Sequence, residues 1–389
     1  MMEVVMKTND LLQRNIKRSV WFFYALIVLE ILYMISPFAL YFYSLYKVPL
    51  KWLQSSEATA FLTQTVLPHF AYHTSGLIQL LVGISWPLIL IGSALFLVAF
   101  GQIYWAKFTR KGAVSGGLYR FIRHPQYLAL AILGLGTTLY WSRFLVCLMY
   151  VTMLFLYSAL ARQEEEICKA KFGSSYMHYL ERTGRFLPRS VENSLRRFVP
   201  QLSLTGWSRR AVLFAGYGIS MVALVLMGFM VRDYALDQMV ITESSDRVVV
   251  ALTELTQNEL AIASSTALAD AEVQERLQEV PGKKELIYVV PDGWSIPELG
   301  IESGTAAHDY LANSVGHGNT DRVDLDRLLV LICRPVLRDE NVGGRAMLKN
   351  AQGIIPLMEV TVGRGYGSVI RRKLRQDSGK WAGIPVPLY

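Results

Sequence analysis

The sequence predicts an all-α polytopic membrane core of about five spanning helices with an appended C-terminal α/β domain, and three observations predict it. Hydrophobic residues make up 52% of the 389 and charged residues 18%, against ~25% charged in an average soluble domain. Uncharged apolar stretches recur through the first 231 residues, several of them near the ~20 residues a helix needs to cross a hydrocarbon core. Charge is also divided: Met1 to Val231 holds 22 Lys and Arg against 9 Asp and Glu, while Arg232 to Tyr389 holds 17 against 22. A basic half and an acidic half imply two domains or two compartments.

The first span is expected at Val20 to Tyr46, with Glu30 its only charge. That run is too long for the apolar segment of a signal peptide and reads as a retained anchor. The second lies in Leu77 to Ala106. The uncharged stretch before it, with Gln64, Pro68, His69 and His73, is polar enough to be a loop. The third and fourth form a hairpin, Tyr127 to Tyr140 and Phe144 to Ala161, turning at Trp141, Ser142 and Arg143. Gly134 and Gly136 in its rising arm point to close packing on a neighbouring helix. The fifth is Ala211 to Val231.

Basic residues set the orientation. The N-terminal tail carries 4, Lys107 to Arg123 carries 5 and Arg162 to Arg210 carries 10, leaving only Lys47, Lys51 and Arg143 for the opposite face. The positive-inside rule then makes the N-terminus and both basic loops cytoplasmic. The expected organisation is a core over 1–210 with four spans and a cytoplasmic segment, a fifth helix over 211–231, and a domain over 232–389 on the far side. The expected location is a bacterial inner membrane, with the active site facing the cytoplasm. Basic residues interleaved with spans rather than gathered on a stripe argue against a nucleic-acid partner.

In the C-terminal region Arg247 to Leu252, Glu285 to Val290, Leu328 to Ile332 and Leu357 to Val362 read as strands, and Asn258 to Val280 as helix. Pro281-Gly282 and Pro291-Asp292-Gly293 read as turns. Cys147, Cys168 and Cys333 form no disulfide framework and no metal spacing. His69 and His73 lack a third ligand. Gly363 to Gly367 lacks the pattern of a phosphate loop.

The chemistry is expected where Gly117 to Tyr127 meets Glu164, Glu165 and Glu166. Pro125 suits the first turn of a helix and pushes His124 toward an extended conformation, so Arg123 and His124 sit at the mouth of that helix. A helix N-terminus with such residues can seat a carboxylate or phosphate, and Tyr119 and Tyr127 add aromatic faces with a hydroxyl. The hairpin returns Arg162 and the glutamates to the same membrane depth, about forty residues later. Such a mixed cluster could hold a zwitterion with an extra positive charge.

The ordered set Gly117-x-Tyr119-x-x-x-Arg123-His124-Pro125-x-Tyr127, then Glu164-Glu165, Phe172-Gly173, Tyr176, Tyr179, Arg182-Thr183 and Phe186-Leu187-Pro188 resembles the signature of the isoprenylcysteine carboxyl methyltransferase and phospholipid methyltransferase superfamily. The resemblance implies an S-adenosylmethionine site open to the cytosol for cofactor and to the bilayer for a lipophilic or membrane-delivered substrate bearing a carboxylate, thiol or amine. Carried over by position, Tyr119, Arg123, His124, Tyr127, Glu164 and Glu165 would form the cofactor shell. Arg123 or His124 would meet the methionine carboxylate, and Glu164 or Glu165 its ammonium group or the ribose hydroxyls. Glu165 is the candidate general base and Arg162 a candidate for orienting an anionic acceptor; no metal is implied. One position departs from the family pattern, which has Gly where this chain has Ala129.

Two rival readings keep the architecture. One is a nicotinamide-dependent membrane reductase of related fold. The other is a degenerate anchor that presents the C-terminal domain to a protein partner. Tyr176, Tyr179 and Arg182 have their own alternative, docking an amphipathic segment on the membrane surface.

Overall fold

The structure is a computed structural model that describes residues 18, 21, 22, 25, 48–67, 74–109, 114–197, 206–293, 324–365 and 367–374. Most of the predicted first span, including Glu30, and the His69 and His73 pair lie outside these residues. The chain divides into two compact units. One is Leu80–Phe229 with the described residues up to Val28; the other is Met230–Tyr389 with Leu29–Gln79.

In the first unit the helices are α1 (Gly76–Gly83), α2 (Ser85–Phe108), α3 (Pro125–Tyr140), α4 (Phe144–Arg182), α5 (Arg189–Arg196) and α6 (Gly206–Asp237), the first and last running past the boundary of the unit. Three helical stretches among the described residues are long and apolar enough to cross a membrane: Gly76–Ala106, Phe144–Arg182 and Ala211–Asp237. The most apolar windows of the first and third are only 11% and 6% buried. Leu90, Leu97, Phe214 and Val222 are among the exposed side chains. Such surfaces face lipid, because helices satisfy their own backbone and lipid is as apolar as leucine. This is a membrane protein.

Of the five expected spans, the second, fourth and fifth coincide with these three stretches, and the first lies mostly outside the described residues. At 16 residues α3 is ~24 Å long, short of the ~30 Å core. The hairpin turn falls where it was expected, α3 ending at Tyr140 and α4 starting at Phe144. The two glycines of the rising arm serve two neighbours. A methyl on Gly136 would lie 2.8 Å from the Ser85 carbonyl of α2, and one on Gly134 would lie 2.9 Å from the Tyr150 ring of α4. The arm is therefore held between α2 and α4.

The largest departure is α4, which continues 21 residues beyond the predicted end at Ala161. Nothing from Arg162 to Phe172 breaks a helix, and Glu, Lys, Arg, Gln and Ala favour it. The break comes at Gly173, whose φ of 55° and ψ of −130° suit a residue without a Cβ. Beyond it the helix resumes in a new direction.

The second unit is a six-stranded sheet in the order β1 (Ile241–Glu243), β2 (Arg247–Ala251), β3 (Glu285–Asp292), β4 (Asp324–Leu337), β5 (Ala351–Gly363) and β6 (Val369–Leu374). Only β2 and β3 run parallel, joined by α7 (Gln257–Leu268) and α8 (Ala271–Glu279). One sheet face packs Val249, Ile287, Val330 and Val360 on Leu260, Ala263 and Val273 of these helices. The other packs Val248, Leu286, Tyr288 and Leu331 on Leu236 and Met239 and on Met347 and Leu348, the last pair from α9 (Ala346–Asn350).

The predicted helix over Asn258 to Val280 is two helices, because Asp270 caps the second by accepting from Glu272 N at 3.1 Å. The predicted turn at Pro291-Asp292-Gly293 is displaced, since Pro291 and Asp292 still pair within β3. The segment before the second span joins this unit. Gln64 donates to the Lys349 carbonyl at 3.1 Å, Thr74 N to the Gln238 carbonyl at 3.2 Å, and the Ser75 and Tyr234 hydroxyls meet at 3.0 Å.

Candidate active site

The site is assembled where the start of α3 meets the end of α4 and the loop after it. Ile122 pairs in parallel with Gly184. Arg123 N donates to the Gly184 carbonyl at 2.8 Å and His124 N to the Arg185 carbonyl at 3.1 Å. The chain before Pro125 is open for this pairing because proline disfavours helix in the residue ahead of it. His124 takes φ −127° and ψ 61°.

The three consecutive glutamates separate by helix geometry, each turned ~100° from the last. Glu165 is buried, its side chain 4% exposed; Glu164 is 36% exposed and Glu166 71%. Glu166 pairs with Lys169 at 2.7 Å on the outer face and takes no part in the cluster.

Glu165 is the centre of an inner clamp. Its Oε1 accepts from Arg123 Nε at 2.8 Å and Arg185 Nε at 3.0 Å, and its Oε2 accepts from Arg185 Nη2 at 2.5 Å. Arg123 also donates from Nη1 to the carbonyls of Leu180 at 3.1 Å and Thr183 at 2.5 Å. One carboxylate and two guanidiniums thus fasten α4 to the start of α3 and to the loop after Arg182. A carboxylate accepting three guanidinium hydrogen bonds is a weak base. Glu165, the expected general base, thus has both oxygens in hydrogen bonds, and Arg123, expected at a carboxylate ligand, has Nε and Nη1 engaged in the clamp.

Glu164 lies on a more open face. Tyr127 Oη donates to its Oε1 at 2.8 Å, and His124 Nδ1 lies 3.4 Å from its Oε2. His124 Nε2 lies 3.5 Å from Glu165 Oε1, so the ring bridges the two carboxylates. Neither ring nitrogen has hydrogen-bond geometry to a partner among the described residues, although both are buried. Burial pulls the imidazole down in pKa and the contacts with Glu164 and Glu165 push it up; the net direction is upward from 6.5. Around the ring, Tyr127 stacks at 5.5 Å and Phe186 leans at 6.1 Å. Tyr127 in turn stacks on Tyr157 of α4 at 5.2 Å.

Tyr119 supports this face from behind. It sits in a short 3-10 helix, Gly117–Arg120, where a side chain on Gly117 would collide with Gln102. Its hydroxyl donates to Gln126 at 3.0 Å, and its carbonyl accepts from Tyr179 Oη at 2.7 Å. Tyr176 is buried, so these two tyrosines pack inward.

Of the predicted residues, Tyr119, Arg123, His124, Tyr127, Glu164 and Glu165 come together. Arg162 instead bonds Ser158, one turn back on the same helix, at 3.1 Å. Arg185, Tyr157 and Glu192 were not anticipated. Arg185 was one of ten basic residues in its segment, and Tyr157 lay inside a span; no spacing rule distinguished either. Glu192 Oε1 accepts the backbone N–H groups of Arg185, Phe186 and Leu187 at 2.6, 3.0 and 3.4 Å. Ala129 is fully buried in α3, so its methyl group occupies space inside the helix packing.

Residues 73–175 match the family model described as phospholipid methyltransferase, which covers about a quarter of the chain. The matched span contains the Arg-His-Pro turn and Glu164 and Glu165, and it stops short of Arg185, Glu192 and the whole sheet unit. No curated protein and no solved structure matches the chain.

Proposed function

We propose that this chain transfers a methyl group from S-adenosylmethionine to a lipophilic acceptor that reaches the site from the bilayer. The observation that carries the reading is the Glu164 face. In the segment matched by the phospholipid methyltransferase family, a partly exposed carboxylate oriented by Tyr127 stands beside a buried histidine whose ring bridges Glu164 and Glu165.

That donor set fits the cofactor. Glu164 would take the ammonium group or the ribose hydroxyls, since it is a carboxylate whose side chain is 36% exposed. His124 would take a group able to satisfy a ring nitrogen, the methionine carboxylate being the strongest such partner while the ring is protonated. The Phe186 ring beside His124 suits a cation, because an aromatic quadrupole attracts positive charge. When bound, the cofactor supplies an electrophilic methyl on a sulfonium. The chain's own task is to align and desolvate the partners. Tyr127 fixes the rotamer of Glu164, and the Arg123–Glu165–Arg185 clamp keeps the helix ends at a constant spacing. Among the predicted residues, Arg162 remains the candidate for steering an anionic acceptor, now as a proposal separate from the cluster.

The test is transfer of labelled methyl from S-adenosylmethionine into a phospholipid extract by the full-length protein in nanodiscs, alongside calorimetric binding of S-adenosylhomocysteine. Label in the lipid fraction that falls with Glu164→Gln supports the reading. Binding of a nicotinamide nucleotide in place of S-adenosylhomocysteine would transfer the site to a reductase. Binding of neither would leave an anchor.

A further inference from the structure

We propose that α5 lies along the cytoplasmic surface of the bilayer on anionic lipid, and that this seating holds Arg185 on Glu165. The depth of the helix follows from its tethers. The loop before it is hydrogen-bonded to Arg123 and His124, immediately ahead of the first turn of α3. On its other side, eight residues separate Arg197 from Gly206, where α6 begins, a reach of at most ~30 Å. Both neighbours, α4 and α6, contain candidate spans.

The helix carries the pattern that such a position demands. Val191 and Leu195, one turn apart on one face, are 43% and 50% exposed. Arg189, Arg196 and Arg197 stand against the single acidic residue Glu192 in this stretch, and the wider segment from Arg162 to Arg210 holds 10 basic and 5 acidic residues. An apolar face in a basic setting is the mark of an interfacial helix on anionic lipid. Docking would also remove from water two aliphatic side chains that the described residues leave about half exposed.

The link to the site is one carboxylate. Glu192, in the first turn of α5, gathers the N–H groups of Arg185, Phe186 and Leu187. Those residues in turn supply the bidentate guanidinium on Glu165, the ring beside His124 and part of the loop's fixed path. Gly184 lets the loop close this tightly, since a methyl there would lie 1.8 Å from the Leu187 carbonyl oxygen and 3.0 Å from the Glu192 carboxyl carbon. Movement of α5 away from the surface would therefore pull on the clamp.

The experiment uses full-length protein with Cys168, half-exposed, replaced by Ser. An environment-sensitive fluorophore is attached at Leu195→Cys, or at Asn193→Cys on the opposite face. Vesicles are phosphatidylcholine alone or equal parts phosphatidylcholine and phosphatidylglycerol. The expected result is a blue shift and quenching by shallow spin-labelled lipid for position 195 and not for 193, stronger in the mixed vesicles. Equal quenching at both positions overturns the docking, and equal quenching of position 195 in both vesicles overturns the anionic preference.

The coupling is read by hydrogen exchange over residues 185–187. In mixed vesicles Val191→Asp with Leu195→Asp should raise exchange there about tenfold, as should Glu192→Gln, while the β2 amides of Val248 to Val250 stay protected as the control for folding. Unchanged exchange in the Asp double variant would leave α5 docked but unconnected to the site. These readouts require no methyl transfer, so they stand or fall separately from the proposed activity.

Discussion

Two adjacent carboxylates on one helix live in different worlds. Glu165 is enclosed by Arg123 and Arg185 and does mechanical work, whereas Glu164, one residue earlier, accepts from Tyr127, faces His124 and stays 36% exposed. The lesson is that charge content says little about role; what matters is how many of a carboxylate's lone pairs the protein itself has already taken. Where nearly all are taken the group holds the fold, and where some remain it can meet a ligand.

The comparison is most sharply tested by removing Glu165. Glu165→Ala leaves two guanidiniums, one of them with its side chain only 8% exposed, without their counter-charge. Breaking a buried pair of this kind costs ~3–5 kcal/mol, so thermal unfolding in detergent should shift strongly downward and folded yield should fall. A melting curve like that of the parent would mean the clamp is not structural.

Glu164→Gln should invert the pattern. The side chain is 36% exposed, so the melting temperature should change little, while affinity for S-adenosylhomocysteine should fall about tenfold, equivalent to ~1.4 kcal/mol. Calorimetry on the two variants side by side separates the roles; similar losses of affinity and stability in both would erase the distinction.

The sheet unit offers a third carboxylate for calibration. Asp270 caps α8 and accepts from Arg372 at 2.8 and 2.5 Å. The hydrogen bond from Arg372 holds its pKa below the usual 3.8. Its contribution is thus present above that value and lost as pH falls through the lowered one. Asp270→Ala should cost ~1 kcal/mol through the lost cap, and Arg372→Ala should shallow the acid limb of the stability curve followed by circular dichroism. An unaltered limb would show that the pair is silent in solution.

The smallest effect is expected from His124. Its pKa is raised, so the stability gained by protonation is complete below about 6.5 and fades as pH rises through the higher folded value. His124→Phe keeps a ring between Tyr127 and Phe186 and should flatten that slope, as Glu164→Gln should in part. An unchanged slope in His124→Phe would assign the pH dependence to another group.

Much of this architecture could be read from the chain. The hairpin turn at Trp141 to Arg143 follows from an apolar run interrupted by a short polar break, and the meeting of His124 with Glu165 follows from that turn. The four strong strands were visible as aliphatic runs. By contrast, β6, with Arg371, Arg372 and Lys373 largely exposed, lacks the apolar alternation that marks a strand; it is an edge stabilised by its partner β5. The extension of α4 past the apolar run was missed because hydropathy marks where lipid ends, not where a helix does. Arg185 was missed because a basic residue in a basic segment has no local signature.

Hydrophobic periodicity and charge asymmetry are local quantities, and they suffice to decide that the chain enters a membrane, that a separate α/β unit follows, and which polar residues share one depth. The division of labour between Glu164 and Glu165 is of another kind. It depends on the rotation of α4 and on a loop twenty residues away that delivers Arg185 to one carboxylate and leaves the other open, and only the packed chain brings those groups within hydrogen-bonding distance.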